Sequence, residues 1–470
     1  MGILHIGRRK SVRRPYRVIL QSTGRSQLLT SVSSTEIAII GAGAAGLSAA
    51  RRLAALGIRF TVLEAKRRIG GRACTDRDTL GLPFDLGCHW LHSADRNPFT
   101  RVAAAFGFTA VPNRLNRRIH GRNGWASDAS RDAWVAFERE QADRLDEAGA
   151  SGRDVPSDTV LDPSHRWSGL YEAWFGILNG AAPSAVSAVD LARYLDTGDN
   201  RQVREGLGTL VVRYGRGIPV RLDAAVRAVR WGGTGVEIEG PAGILQARAA
   251  ILTVSPTVLA RGGMRFDPPL PPETVDAIEG LQLGHALRIA IRFPPGTFGD
   301  PRRGHEIFAD DSSSALSFQV QPFARPMATA YAGAENAAEL ERAGLESTRA
   351  LVVERLAAMF GCAVSRRAGA AIMSGWAADP DIGGAYSFAR PGGGDLRGRL
   401  ATPVGDRLWF AGEAASRHGF STVHGAWETG RAAADAVAVM AGRHAPFPSR
   451  RGGTQAAGRP AGHERSSPAR

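Results

Sequence analysis

Only two of the chain's 59 basic side chains are lysines, Lys10 and Lys66. Chemistry that needs a lysine has nothing to draw on beyond residue 66. Cysteine is also scarce. Cys74, Cys88 and Cys362 make an odd set without metal-ligand spacing, which speaks against a disulfide framework or a zinc site and suits a reducing, cytoplasmic compartment. No apolar run approaches the roughly 18 residues of a membrane span. The N-terminal stretch lacks the apolar region of a secretory signal. There is no internal repeat, no heptad pattern and no histidine–carboxylate grouping with metal spacing.

The net charge of +14 suggests nucleic acid until it is mapped. Residues 1–35 hold seven Arg or Lys and no acid, and residues 443–470 hold six Arg and one Glu. The excess belongs to the two ends, which are expected to be disordered basic segments, and nucleic acid is not expected as a partner. The remainder is ordinary soluble-domain composition, 43% hydrophobic and 22% charged over 470 residues, enough for two or three domains.

What is abundant is glycine at particular places. In "AIIGAGAAGLSAA", Gly41, Gly43 and Gly46 fall at G-x-G-x-x-G spacing. "EIAII" predicts a buried strand, "AAGLSAARRLAALG" a helix with an apolar stripe of Leu47, Ala50, Leu53, Ala54 and Leu56, and "IRFTVLE" a second strand. Such a β-α-β unit binds a dinucleotide. Gly41 allows a tight turn, Gly43 lets pyrophosphate meet backbone, and Gly46 lets helix pack on strand. The helix N-terminus favours phosphate. Glu64, ending the second strand, can accept from the ribose hydroxyls. A second glycine pair, Gly70 and Gly71, followed by Arg72 suits an extended cofactor gripped from two sides, which favours FAD.

"VLEAKRRIGGR", "FDLGCHWLH" and "LWFAGEAASRHGFSTVHGAWETGRAAADAV" resemble the flavin-dependent amine oxidases, the family of monoamine oxidases, polyamine oxidases and lysine-specific demethylases. The resemblance implies an α/β fold, with a Rossmann-like FAD-binding domain and an interleaved substrate domain of mixed sheet and helices. It implies that Gly41, Ala42, Gly43, Ala45, Gly46, Glu64, Ala65, Lys66, Gly71 and Arg72 hold the adenosine and pyrophosphate. Gly87, Cys88, His89 and Trp90 would run beside the isoalloxazine. Val226 would meet the adenine, with Thr253 at a nearby turn. Gly412 and Glu413 would meet pyrophosphate and ribityl chain. Thr422, Val423 and Ala426 would aim a helix start at the flavin pyrimidine, where its positive end favours an anionic ring.

For catalysis the resemblance points to Trp376 and Tyr386, in "GWAADPDIGGAYSF", as walls of the amine slot, and to His92 as a partner of the substrate nitrogen. Thr422 stands where monoamine oxidases carry a second tyrosine, as in polyamine oxidases and demethylases. One departure stands out: in "GLQLGHALRIAIRF" the family's lysine is replaced by Arg288, which keeps a charge and donors but cannot lose its proton. His89, His285, His418 and His424 have weaker claims as acid–base groups.

The implied reaction is hydride transfer from an amine to flavin N5. The resulting imine is hydrolysed, and oxygen reoxidises the flavin to give hydrogen peroxide. FAD is expected to be non-covalent, since no cysteine lies near the C-terminal motif. The partners are then a small amine and molecular oxygen, on a monomer or homodimer. A flavin desaturase or dehydrogenase acting on C–C bonds, related to carotenoid or protoporphyrinogen enzymes, and a non-catalytic flavin protein remain open alternatives. The expected domains are 36–93, 206–262 and 376–442 for FAD, and 94–205 and 263–375 for substrate. The first substrate segment should be mostly helical. The second should supply strands near "ALRIAIRF", "ALSFQV" and "MATAYAG".

Overall fold

Strand Ile37–Ile40 is apolar at every position because both of its faces are covered. Ile37 and Ile39 pack toward the first helix, Ala44–Ala55, and the C-terminal helix, Val423–Met440. Ala38 and Ile40 pack into a second cluster on the opposite face. Alternation along one strand thus serves two layers. The strand is central in a five-stranded parallel sheet with the order Val220–Arg221, Phe60–Leu63, Ile37–Ile40, Ala249–Leu252, Leu408–Phe410. A second five-stranded sheet, which includes Gly243–Ala247, Val236–Gly240 and Ala228–Arg230, contributes to the cluster on the far face.

The computed structural model describes residues 32–112, 116–299, 305–310 and 312–442. Most of the two basic ends lies outside these residues. Val32–Ser34, expected to belong to a disordered segment, is instead a strand paired in parallel with Ile244–Gln246. Ala54, expected on the buried stripe of the first helix, is exposed, while Leu47, Ala50 and Leu53 are buried.

A seven-stranded sheet forms the other half, ordered Ala371–Met373, Ala286–Arg292, Met327–Gly333, Leu316–Val320, His305–Ala309, Asn116–Gly121, Gly124–Trp125. Its last two strands come from the segment expected to be mostly helical. That segment also supplies helices Asp128–Ser151 and Ser168–Asn179. Helix Ala334–Phe360, broken at Gly344 with φ 81°, packs on the sheet. No helix among the described residues is long and apolar enough to cross a membrane.

Candidate active site

The three glycines after strand Ile37–Ile40 do different work. Gly41 has φ +104°, and a Cβ there would lie 2.3 Å from Thr253 Oγ1. A Cβ on Gly46 would lie 2.0 Å from the Gly41 carbonyl oxygen. Both allow close packing. At Gly43 the nearest atom to an added Cβ is the Gly70 carbonyl oxygen, 4.0 Å away, so this backbone has open space in front of it. Gly43 is also the N-cap of the first helix and supplies no side-chain cap. The N–H groups of the first turn are left for a ligand.

Glu64, 7% exposed, accepts from Ala42 N–H at 2.7 Å and Lys66 N–H at 3.0 Å. The second glycine pair closes on the first turn: Gly70 N–H donates to the Ala42 carbonyl at 2.8 Å. Arg72 Nη1 donates to Glu413 at 2.9 Å and to the Ala385 carbonyl at 2.6 Å, so it joins the N-terminal and C-terminal motifs. Lys66 Nζ meets Asp379 at 2.6 Å and Asp381 at 3.4 Å. Thr422 caps the C-terminal helix, accepting from Gly425 N–H at 3.0 Å.

A continuous cavity of about 890 Å³ opens along these residues, toward the upper end of the roughly 300–1,000 Å³ usual for ligand sites. Of the residues expected to hold the cofactor or wall the amine slot, Ala42 and Gly46 alone do not line it; of the weaker acid–base candidates His89 lines it, and His285, His418 and His424 do not. Arg288, His92, Trp376 and Tyr386 share the wall with Gly87, Cys88, His89 and Trp90. Trp376 Nε1 donates to the Leu86 carbonyl at 3.0 Å, and the Tyr386 hydroxyl donates to the Ile177 carbonyl. Each ring is therefore pinned by its polar end and offers an apolar face. The cavity continues to Tyr171, Trp174 and Phe175 of the helical segment.

Burial dominates the local electrostatics. It lowers the pKa of His89 and of His92 and brings His424 down to about 4, so all three imidazoles are neutral near pH 7. His92 Nδ1 lies 3.0 Å from Asn200 Oδ1 and 4.0 Å from Asp196. Burial pushes the Cys88 thiol up to about 12. It would also raise Glu413, but the Arg72 and Arg397 charges and the Ser387 hydroxyl bond outweigh it, and the net shift is downward. His285 Nδ1 is buried without a partner, and His418 is tied to the Arg193 carbonyl.

The residues fit an FAD molecule. Gly43 leaves room where phosphate must approach, and the first helix leaves its N–H groups uncapped by any side chain. Gly412, with φ +141°, has nothing within 4 Å of where a Cβ would be. Sequence reasoning missed the support behind this site. Ser387 Oγ donates to Glu413 at 2.6 Å and accepts from Arg397 Nη1 at 2.8 Å. Asn200 turns His92. Gly430 allows the two helices to touch, since a Cβ there would lie 2.1 Å from the Ala45 carbonyl oxygen. An arginine inside the short helix Leu396–Leu400 was the one available signal.

Protein FLOWERING LOCUS D of Arabidopsis thaliana is 29% identical over 438 residues, covering 85% of this chain and 54% of that protein. Probable polyamine oxidase 4 of the same plant is 28% identical over 433 residues, covering 84% and 85%. The chain thus spans about half the length of several curated relatives it matches. Among solved structures, wild-type putrescine oxidase bound to putrescine shares the fold, with a TM-score of 0.74 at 20% identity, covering 87% of this chain and 100% of that one. A family model described as flavin containing amine oxidoreductase matches residues 44–125 and 113–438. The match begins just after Gly43 and takes in Gly46, the second glycine pair and the cavity wall that follows, and the chain belongs to the flavin containing amine oxidoreductases.

Proposed function

We propose that the protein is an FAD-dependent amine oxidase acting on a small or polyamine-like alkyl amine. One observation carries the reading: a single cavity runs from an uncapped helix start at Gly43 to a chamber walled by Trp376 and Tyr386. The likeness to a probable polyamine oxidase and the fold shared with putrescine oxidase support an alkyl amine.

Gly43 and the first helix turn would hold the pyrophosphate, with Glu64 at the ribose. The uncapped N–H groups at Val423 and His424 would face the pyrimidine edge of the ring. When bound, FAD supplies a two-electron, hydride-type oxidation at the carbon beside nitrogen, with oxygen as final acceptor and hydrogen peroxide as by-product. The resulting imine is hydrolysed to a carbonyl compound.

The chain's own task is to bind the amine without its extra proton. Trp376 and Tyr386 present apolar faces that make an ammonium costly and a neutral amine cheaper. His92, with Nδ1 turned to Asn200, keeps Nε2 free to accept from the substrate nitrogen. The aromatic wall also excludes water from the reacting carbon. An anaerobic titration of the purified flavoprotein with a panel of amines tests this. Bleaching of the flavin absorbance by an alkyl amine is expected. A flavin that dithionite bleaches but no amine does would overturn the proposal.

A further inference from the structure

Arg288 brings to the cavity a cation with no carboxylate within ion-pair distance among the described residues. It stands on strand Ala286–Arg292, whose Leu287, Ile289 and Ile291 enter the sheet core. Alternation therefore turns Arg288 to the other face, toward the cavity. Tyr331 is its direct cross-strand partner in the antiparallel register, and such pairs are the unit by which neighbouring strands fix each other's side chains.

The surroundings of the guanidinium hold it in place without neutralising it. Nη1 donates to the carbonyl oxygens of Asp85 and Gly87, the latter at 3.1 Å. Nη2 donates to the Tyr331 hydroxyl at 3.2 Å, and that hydroxyl donates onward to Gln319 Oε1 at 2.9 Å. The rings of Phe84 and Tyr331 lie 4.8 and 5.1 Å from the guanidinium carbon. The same Tyr331 ring stacks on His89, at 5.4 Å and 21°. Nε is buried without a partner. Asp85 is near, but its carboxylate is taken by Thr75 Oγ1 at 2.5 Å and by the N–H groups of Leu207 and Gly208 at 2.9 and 3.0 Å. A half-buried cation held by neutral dipoles favours negative charge in whatever lies beside it.

We propose that Tyr331 is a positioning residue. With the carbonyls of Asp85 and Gly87 it fixes Arg288 so that a permanent positive charge sits at the Gly87–Trp376 end of the cavity and favours the electron-rich, negatively charged state of a bound flavin ring over the neutral oxidised state. This rests on the reading that the cavity holds FAD. Two electrons arrive from the amine with the transferred hydrogen. Arg288 gives up no proton, so the effect persists across pH.

The test is the midpoint potential of bound flavin, measured by dye equilibration from mildly acidic to mildly alkaline pH. The variants are Tyr331→Phe, Arg288→Lys, Arg288→Met and the Tyr331→Phe/Arg288→Met double. Arg288→Met is expected to weaken the preference for the reduced state about tenfold, ~30 mV for a two-electron couple. Tyr331→Phe keeps the ring but loses the hydroxyl, and is expected to shift the potential the same way by roughly threefold. In the Arg288→Met background Tyr331→Phe should add nothing, because it acts through the arginine. Arg288→Lys keeps the charge and should stay nearest the wild type, and Tyr331→Phe, which keeps both the ring and the arginine, covers the case that the methionine variant fails to fold. An unchanged potential in flavin-loaded Tyr331→Phe or in Arg288→Met overturns this proposal alone, as does a shift in Arg288→Lys as large as that expected for Arg288→Met, or a full additive shift in the double variant. A wild-type protein that binds no flavin overturns it together with the functional reading.

Discussion

Asp190 and Arg397, 207 residues apart in the chain, form a multiply hydrogen-bonded ion pair with each side chain 1% exposed. Arg397 also reaches Ser387, which holds Glu413, which accepts from Arg72. A buried chain of charge thus joins the helical segment to both ends of the cofactor cradle. Removing one partner of such a pair leaves an uncompensated buried charge, which costs about 3–5 kcal/mol. Arg397→Met should lose roughly that much in urea unfolding, and Asp190→Asn in the same background should recover part of it. Equal stability of Arg397→Met and wild type would show that the pair contributes nothing.

Gly43 and Gly46 should fail in opposite ways. Gly46→Ala sets a Cβ 2.0 Å from the Gly41 carbonyl oxygen, and Gly43→Ala sets one into open space. Gly46→Ala is therefore expected to lower the thermal midpoint of the apoprotein. Gly43→Ala should leave that midpoint in place and weaken flavin binding by about tenfold or more, the cost of one crowded phosphate contact. Calorimetry of the apoproteins and flavin titration separate the two. Loss of apoprotein stability in Gly43→Ala would assign that glycine to packing.

Acid should loosen the fold before it reaches the carboxylates. Burial depresses His424 from its ordinary 6.5 to about 4, and its Nδ1 lies 3.4 Å from Asn97 Nδ2, a bond that only a neutral ring can accept. Because the folded pKa is the lower one, the unfolded chain binds the extra proton first. Stability is fully present above pH 6.5 and declines as the pH falls from there toward about 4. His89 and His92 shift the same way. A His424→Gln variant should show a shallower decline across that interval in thermal melts. An identical slope would remove His424 from the account.

Lys66 ties its own loop to the segment that carries Trp376, through Asp379 at 2.6 Å and Asp381 at 3.4 Å, with the lysine and Asp379 each 19% exposed. Breaking a pair of this exposure costs about 1 kcal/mol. Lys66→Met and Asp379→Asn should each release flavin roughly fivefold faster, with less sensitivity to added salt than the wild type. Stopped-flow flavin fluorescence reads both. Release rates that match the wild type would show that this bridge does not restrain the cofactor.

Local patterns were legible because their physics is local. A strand, a glycine turn and an alanine-rich helix announce themselves within 20 residues, and Val423–Met440 and Met327–Gly333 begin and end where their sequences suggest. Ala54 was misplaced because alanine is small enough to sit on either side of a helix. Strand Asn116–Gly121 escaped notice because "NRRIHG" has almost no apolar content of its own. It is held by parallel pairing with His305–Ala309, far along the chain. The Ser387–Arg397–Asp190 chain was hidden for the same reason: no spacing rule links residues so distant, and one arginine in a short helix looks like surface until its partner is seen.

The parallel sheet behind the proposed cofactor site takes its central strand from residues 37–40 and an outer strand from residues 408–410. On a ribosome, that outer strand and the helix after it emerge long after the central strand. The proposed cofactor seat therefore cannot close until these late elements have emerged, and flavin capture must wait for them. A polypeptide cut anywhere between would yield two halves that each lack a wall, neither able to turn yellow until it met the other.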